Sequence, residues 1–300
     1  LNGFYPQPHA ELSGCSSRGS LAMLRTIQHG VPGKRERKGR TTATIGLRET
    51  TLANPFIRPK APLGDLRRGM GRFRTGFIEP PAILPRRPMG SMRHAEYRFS
   101  AIGFAFGRML ADSLQVPVGL ILNAVGGSPT EAWIDRKTLE FEFPDILQDW
   151  TKNDFIQDWV RERAALNIKQ ASNPLQRHPY EPCYLFEAGI QPLHRYPIKG
   201  IIWYQGESNA HNMKVHERLF PLLVNSWRQN WNAALPFYYV QLSSIDRPSW
   251  TWFRDSQRRL AQTVSNTGMA VSSDRGDSLN VHPTRKKEIG ERLAHWALNK

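Results

Sequence analysis

Three short stretches hold groups that can do chemistry together: Gly126-Gly127-Ser128, Gln205-Gly206-Glu207-Ser208-Asn209 and Asn280-Val281-His282-Pro283. Gly126 offers a backbone N–H with no side chain in its way, and Gln205 offers a side-chain N–H. Two such donors make an oxyanion hole for the tetrahedral intermediate of acyl transfer. His282 has the titration range of a general base that later returns its proton as an acid. Taken singly, each stretch has a plainer reading. Two glycines make a tight turn, a polar loop is solvated, and a histidine before proline is structural. Together they gain weight because each follows an apolar run. What the set lacks is a nucleophile, which Ser–His chemistry needs within hydrogen-bond reach.

The runs that must carry these loops read as buried strands. Residues 117–124 are Pro-Val-Gly-Leu-Ile-Leu-Asn-Ala, and residues 198–204 pass from Ile198, Ile201 and Ile202 into Trp203 and Tyr204. Continuous β-branched and aromatic runs of this length are strands covered on both faces, as in a parallel sheet. Residues 237–242 and 268–273 read as two more. Helical spacing appears at Phe99, Ile102, Phe106, Met109, Leu110 and Leu114, with Ser100 near the N-cap. It recurs over residues 215–231, where Pro221 must lie in the first turn or kink the helix, and over 253–264 and 284–298. Residues 135–170, charged and aromatic, read as helical excursions over the surface. Strands alternate with helices through residues 98–300, the pattern of an α/β fold with a doubly wound parallel sheet. In such a sheet the three polar loops gather at the carboxyl ends of the strands.

Three hundred residues, 40% apolar, allow one large domain, or one and a small appendage. Cys15 and Cys183 define neither a disulfide framework nor a zinc site. No run is long enough to span a membrane, and no secretory h-region opens the chain. The first residue is Leu1, which reads as a fragment or a processed form, and no feature specifies a compartment. The net charge of +15 is uneven: residues 1–97 hold 17 Lys and Arg against 6 Asp and Glu, and the rest hold 24 against 20. Residues 31–40 are a basic, Gly-containing run, and residues 56–93 are crowded with Arg, Pro and Gly without a period of 2 or 3.6. Residues 1–97 therefore read as an irregular basic segment ahead of a folded domain at 98–300. A basic arm for nucleic acid or an anionic surface is the alternative, but no aromatic interleaving or binding module accompanies the charge. Neither a nucleic-acid nor a membrane partner is expected.

Five motifs in order carry a resemblance. They are Phe99-Ser100-Ala101; Val116-Pro117-Val118-Gly119-Leu120-Ile121 followed by Gly126-Gly127-Ser128-Pro129-Thr130-Glu131-Ala132-Trp133; Trp203-Tyr204-Gln205-Gly206-Glu207-Ser208-Asn209; Pro236-Phe237-Tyr238-Tyr239-Val240-Gln241-Leu242; and the run from His282 to Leu293. Over nearly all of residues 98–300 the chain resembles the sialate O-acetylesterase family of the SGNH hydrolase superfamily. The resemblance implies a flavodoxin-like sheet and hydrolysis of acetyl esters on sugars through an acyl-enzyme, with no metal or cofactor. It puts Gly126 (or Gly127) and Gln205 in the oxyanion hole, makes His282 the base, and has Glu207 brace a loop that also holds Asn209. The substrate expected is O-acetylated sialic acid, or alternatively acetylated plant polysaccharide. Trp133, Trp203 and Tyr204 are candidates for a sugar-stacking surface, with core packing the other reading for Trp203. A carbohydrate-binding remnant without activity is the competing function.

Two departures from the family pattern stand out. The family places an Asp just before the catalytic His; here that position is Asn280, and Asp277 is the nearest substitute. An Asn orients an imidazole but does not stabilise its cation. The family's nucleophile block, Gly-Gln-Ser-Asn-Met after an apolar strand, is absent; Arg18-Gly19-Ser20-Leu21-Ala22-Met23 comes nearest, which makes Ser20 a candidate by position. Ser208 and Ser128 are alternatives in loops that already have another use. A reading-frame shift accounts for the missing block and the basic composition alike. With Arg18–Leu21 written as CGG GGC AGT CTN, the frame starting at the third base reads Gly-Gln-Ser.

Overall fold

The computed structural model describes residues 100–299 except 170, 172 and 174, together with the backbone of two strands at Leu21–Thr26 and Ile45–Arg48. These two, β1 and β2, join β3 (Val118–Asn123), β4 (Gly200–Trp203), β5 (Phe237–Val240) and β6 (Thr267–Ala270) in one sheet ordered β2-β3-β1-β4-β5-β6. β2 runs parallel to β3, and β4, β5 and β6 run parallel to one another. The apolar runs of the sequence thus become the strands of an α/β fold with a parallel sheet.

Alternation along each strand feeds two cores. Ile201, Trp203, Phe237 and Tyr239 face one side, while Ile202, Tyr204, Tyr238 and Val240 face the other, all buried. On the second side lie α1 (Ala101–Leu114) and α6 (Lys286–Leu298), through Ile102, Phe106, Leu110, Ile289 and Leu293. Ser100 caps α1 as its spacing predicts, its hydroxyl accepting the Gly103 N–H at 3.2 Å. On the first side lies α4 (Met213–Trp231), through Val215, Leu219, Leu223 and Trp227, with α5 (Pro248–Thr263) beside it. Asn212 caps α4. Pro221 sits well past the first turn of one unbroken helix, where it has no N–H to give the Glu217 carbonyl.

Two findings differ from the sequence reading. Residues 135–170 are not merely laid over the surface: α2 (Arg136–Glu142), a turn at Pro144–Leu147 and α3 (Asp158–Lys169) bury Leu139, Phe143, Ile146, Ile156, Val160 and Ala164 in the first core. The sheet is not wholly parallel either. β1 comes from the segment read as irregular and runs antiparallel to both neighbours, β3 and β4. The physical reason is that β3 and β4 face each other across a gap one strand wide, and each presents a row of backbone N–H and C=O groups that must be paired. A short apolar run of either direction satisfies them. Because β1 is reversed, its first residue, Leu21, lies opposite Asn123 and Trp203, at the carboxyl edge of the parallel strands.

Candidate active site

The loop after β3 turns at Gly126-Gly127. Gly127 has φ +76°, and a Cβ there would lie 2.6 Å from the Tyr180 Oη and 2.8 Å from Trp159 Cη2, so only glycine fits. The Tyr180 hydroxyl donates to the Gly126 carbonyl and the Ser208 hydroxyl to the Gly127 carbonyl, each at 2.8 Å. Among the described residues no backbone acceptor meets the N–H of either glycine. Both residues are partly exposed, so these donors stand at a solvent-accessible turn.

The loop after β4 passes through Gly206, where φ is +152° and a Cβ would come 2.8 Å from the Phe253 ring. A buried amide network joins it to the β3 loop. Gln205 Nε2 donates to Asn209 Oδ1 at 2.7 Å and to the Ser128 carbonyl at 3.2 Å, while its Oε1 accepts from the Thr130 hydroxyl at 2.7 Å. Asn209 Oδ1 also accepts from the Thr130 N–H and hydroxyl, and its Nδ2 donates to Glu131 Oε2 at 3.0 Å. Burial pushes the Glu131 carboxyl up to about 7, against the hydrogen bonds from its own backbone and Asn209. Burial also raises Glu207, opposed by backbone N–H groups at Gly206 and Glu207 and by the charge of Arg247.

His282 lies on the loop between β6 and α6. The Ser243 hydroxyl holds this loop by donating to the Val281 carbonyl at 2.7 Å. Asn280 Oδ1 accepts the backbone N–H of His282 at 2.9 Å, and Asp277 Oδ1 that of Leu279 at 2.7 Å. Both side chains therefore brace the main chain of the loop. Among the described residues no carboxylate bonds the imidazole, and burial, with Lys286 nearby, pushes His282 down to about 4.

The structure thus ties Gly126, Gly127, Gln205 and Asn209 into one cluster and holds His282 on a separate loop at the same edge of the sheet. Ser20 lies outside the described residues. Ser128 and Ser208 each donate to a carbonyl, of Val125 and Gly127 respectively. Trp133, Trp203 and Tyr204 are 2%, 4% and 7% exposed, so they pack the core and offer no sugar-stacking surface. Trp133 donates to the Ser128 hydroxyl and stands edge-on to Trp203. Sequence reasoning missed the work of Thr130 and Glu131, although both lie in a quoted motif. It also missed Trp159 and Tyr180, whose neighbourhood to Gly127 arises only on folding. Among the described residues no cluster of His, Cys, Asp and Glu is placed to hold a metal, and no helix is long and apolar enough to cross a membrane.

The chain matches the family model for carbohydrate esterases described as sialic acid-specific acetylesterases, over residues 86–299. It is 31% identical over 235 residues to the sialate O-acetylesterase of Rattus norvegicus, covering 67% of this chain and 42% of that protein. It is 30% identical over 226 residues to the sialate O-acetylesterase of Homo sapiens, covering 67% and 39%. The chain therefore spans about two fifths of the length of these relatives. A crystal structure of a carbohydrate acetylesterase from Xanthomonas citri is 30% identical, with a TM-score of 0.49 over 66% of this chain and 40% of that one. Since the family model covers well over half of its length, the chain belongs to the sialic acid-specific acetylesterase family of carbohydrate esterases.

Proposed function

We propose that this chain removes O-acetyl groups from carbohydrate through a serine acyl-enzyme, on an SGNH-type, flavodoxin-like sheet. The observation that carries the reading is the meeting of two donor loops: Gln205 Nε2 lies 3.2 Å from the Ser128 carbonyl, in the turn that also presents the Gly126 and Gly127 N–H groups. That bond is the longer of the two Gln205 donates. An oxyanion that displaces Ser128 leaves the 2.7 Å bond to Asn209 in place, so the amide needs no reorientation.

In the mechanism a serine hydroxyl attacks the acetyl carbonyl while His282 takes its proton. Ser20 is the candidate, one residue before Leu21 in sequence. The tetrahedral oxyanion rests on the Gly126 N–H and the Gln205 amide. Collapse of the intermediate breaks the ester C–O bond as His282 protonates the leaving sugar oxygen. Water then attacks the acyl-enzyme with His282 as base, and acetate departs. With its pKa pushed down to about 4, His282 is neutral and able to accept a proton over the whole range above it. Asn280 and Asp277 support it through the main chain of its loop. The substrate class follows the family: O-acetylated sialic acid first, acetylated plant polysaccharide second. The test is acetate release from an aryl acetate. His282→Ala should lower turnover by about 10³-fold or more; equal turnover in parent and variant overturns the mechanism.

A second reading, a sugar-binding remnant without activity, is favoured by the uncompensated His282 imidazole and by the absence of a Gly-Gln-Ser-Asn-Met block. It predicts a folded parent that binds sugar and releases no acetate.

A further inference from the structure

Beside the glycine turn stands a wall that comes from the excursion between β3 and β4. Trp159, the second residue of α3, is 37% exposed, and its Cη2 approaches Gly127 so closely that any Cβ there would be 2.8 Å away. Its position is fixed from several sides. The indole N–H donates to Gln157 Oε1 at 2.7 Å, and the ring meets Tyr180 edge-on at 6.1 Å. Tyr180 is itself held by its bond to the Gly126 carbonyl, by its N–H on His178 Nδ1 at 3.1 Å, and by the edge of the His178 ring at 4.6 Å. His178 Nε2 pairs with Asn167 on α3 at 2.9 Å, which closes the circle back to the helix that carries Trp159. The excursion also reaches the β4 loop, where the His211 ring meets the Phe155 carbonyl at 3.1 Å.

Arg163 lies one helical turn beyond Trp159, on the same face of α3. Helical side chains lean toward the N-terminus of their helix, so a long Arg side chain here covers the turn that starts at Trp159. Its charge acts on His178 and Tyr180, the residues behind the indole. The other arginines of this region have carboxylate partners: Arg161 with Asp154 and Asp158, Arg177 with Glu181 and Glu187, Arg136 with Glu187. Arg163 is half-buried and has no such partner among the described residues.

We propose that Trp159 and Arg163 form the subsite for the alcohol part of the ester, the indole taking the apolar face of a sugar ring and the guanidinium taking a carboxylate on that ring. This rests on the esterase reading. If the acetyl oxygen sits on the Gly126 N–H, the group on the other side of the ester bond lies against the residue that touches Gly127. A fixed aromatic face beside a few convergent polar groups is how pockets hold amphipathic ligands. A guanidinium beside it that has no carboxylate partner among the described residues matches the planar, two-oxygen geometry of a carboxylate. The subsite therefore selects an acidic sugar over a neutral one, and so decides between the two substrate classes named above.

The test uses the full 300-residue chain with three acetyl esters: phenyl acetate, 9-O-acetyl-N-acetylneuraminic acid and xylose tetraacetate. Arg163→Met should lower kcat/KM for the acidic sugar relative to the neutral one by about tenfold or more, the worth of one charge-assisted bond. Arg163→Lys, which keeps the charge and loses the fork, should recover part of it. Trp159→Ala should lower kcat/KM for both sugar esters relative to phenyl acetate by about fivefold, with Trp159→Phe falling between. An acidic-to-neutral ratio that does not move in Arg163→Met overturns the assignment. If the parent cleaves none of the three esters, the esterase reading fails, and saturation-transfer NMR with free N-acetylneuraminic acid judges the subsite alone. Transfer to the ring protons in the parent, lost in Arg163→Met and Trp159→Ala, upholds it; no transfer in the parent, or transfer kept by Arg163→Met, overturns it.

Discussion

Glu131 is completely buried, with one oxygen on Asn209 and no donor on the other among the described residues. Directionality gives it its place. The Thr130 backbone N–H only donates, so Asn209 must turn its oxygen toward Thr130 and Gln205 and its NH2 toward Glu131, and Gln205 in turn must present Nε2; the Glu131 carboxyl accepts at the end of this chain. The polarity of the proposed oxyanion donor is thus set two residues away. Its folded-state pKa, about 7, lies above the ordinary carboxyl value of 4.5. The folded protein therefore holds this proton more tightly than the unfolded chain, and stability present below pH 4.5 is lost as pH rises through 7. Glu131→Gln keeps an acceptor for Asn209 and removes the titration. The variant should gain about 3 kcal/mol on the parent between pH 4.5 and pH 8. Denaturant midpoints across that range measure it, and a constant difference between parent and variant counts against the carboxyl.

At the scale of elements, the loops depend on how firmly the helices after them are started. α4 opens directly after the Gln205–Asn209 loop, and the Asn212 side chain accepts the Val215 N–H at 3.1 Å. Asn212→Ala should cost about 1 kcal/mol, read as a lowered Tm. Such local signals were legible in the sequence. Ser100 before an apolar period marks α1, the 198–204 run marks β4, and Gly126-Gly127 and Gln205 fall in strand-end loops as their neighbours imply. What was not legible depends on contacts distant in sequence. Nothing near Leu21 states that it will pair with Asn123 and Trp203. The aromatic residues closest to the motifs, Trp133 and Trp203, turn inward, while Trp159, far from any motif, reaches Gly127. Burial of both faces of β4 turns Trp203 inward and the buried turn at Thr130–Trp133 does the same for Trp133, while a folded excursion brings Trp159 to Gly127.

For the molecule as a whole, the sheet is divided at its centre. β3 and β4 touch through β1, and β1 comes from a part of the chain far from either. A chain trimmed to residues 98–300 leaves facing edges of β3 and β4 unpaired, each with backbone groups that burial penalises. Such a truncation should lose cooperative unfolding and aggregate, as followed by circular dichroism and size-exclusion chromatography. A monomer with the parent's thermal transition would show that β1 is dispensable.

The reversed central strand also has a consequence in time. Leu21 to Thr26 leaves a ribosome long before β4, the partner that ends at Trp203. At about 5–20 residues per second, β1 waits on the order of ten seconds or more before both neighbours exist. Until then at least the edge that β4 will cover stays open on an apolar strand, and closing it requires a long loop to be ordered late. The slow step of folding, and the moment of greatest exposure to chaperones and to self-association, should therefore be the arrival of β4 beside a strand made long before it.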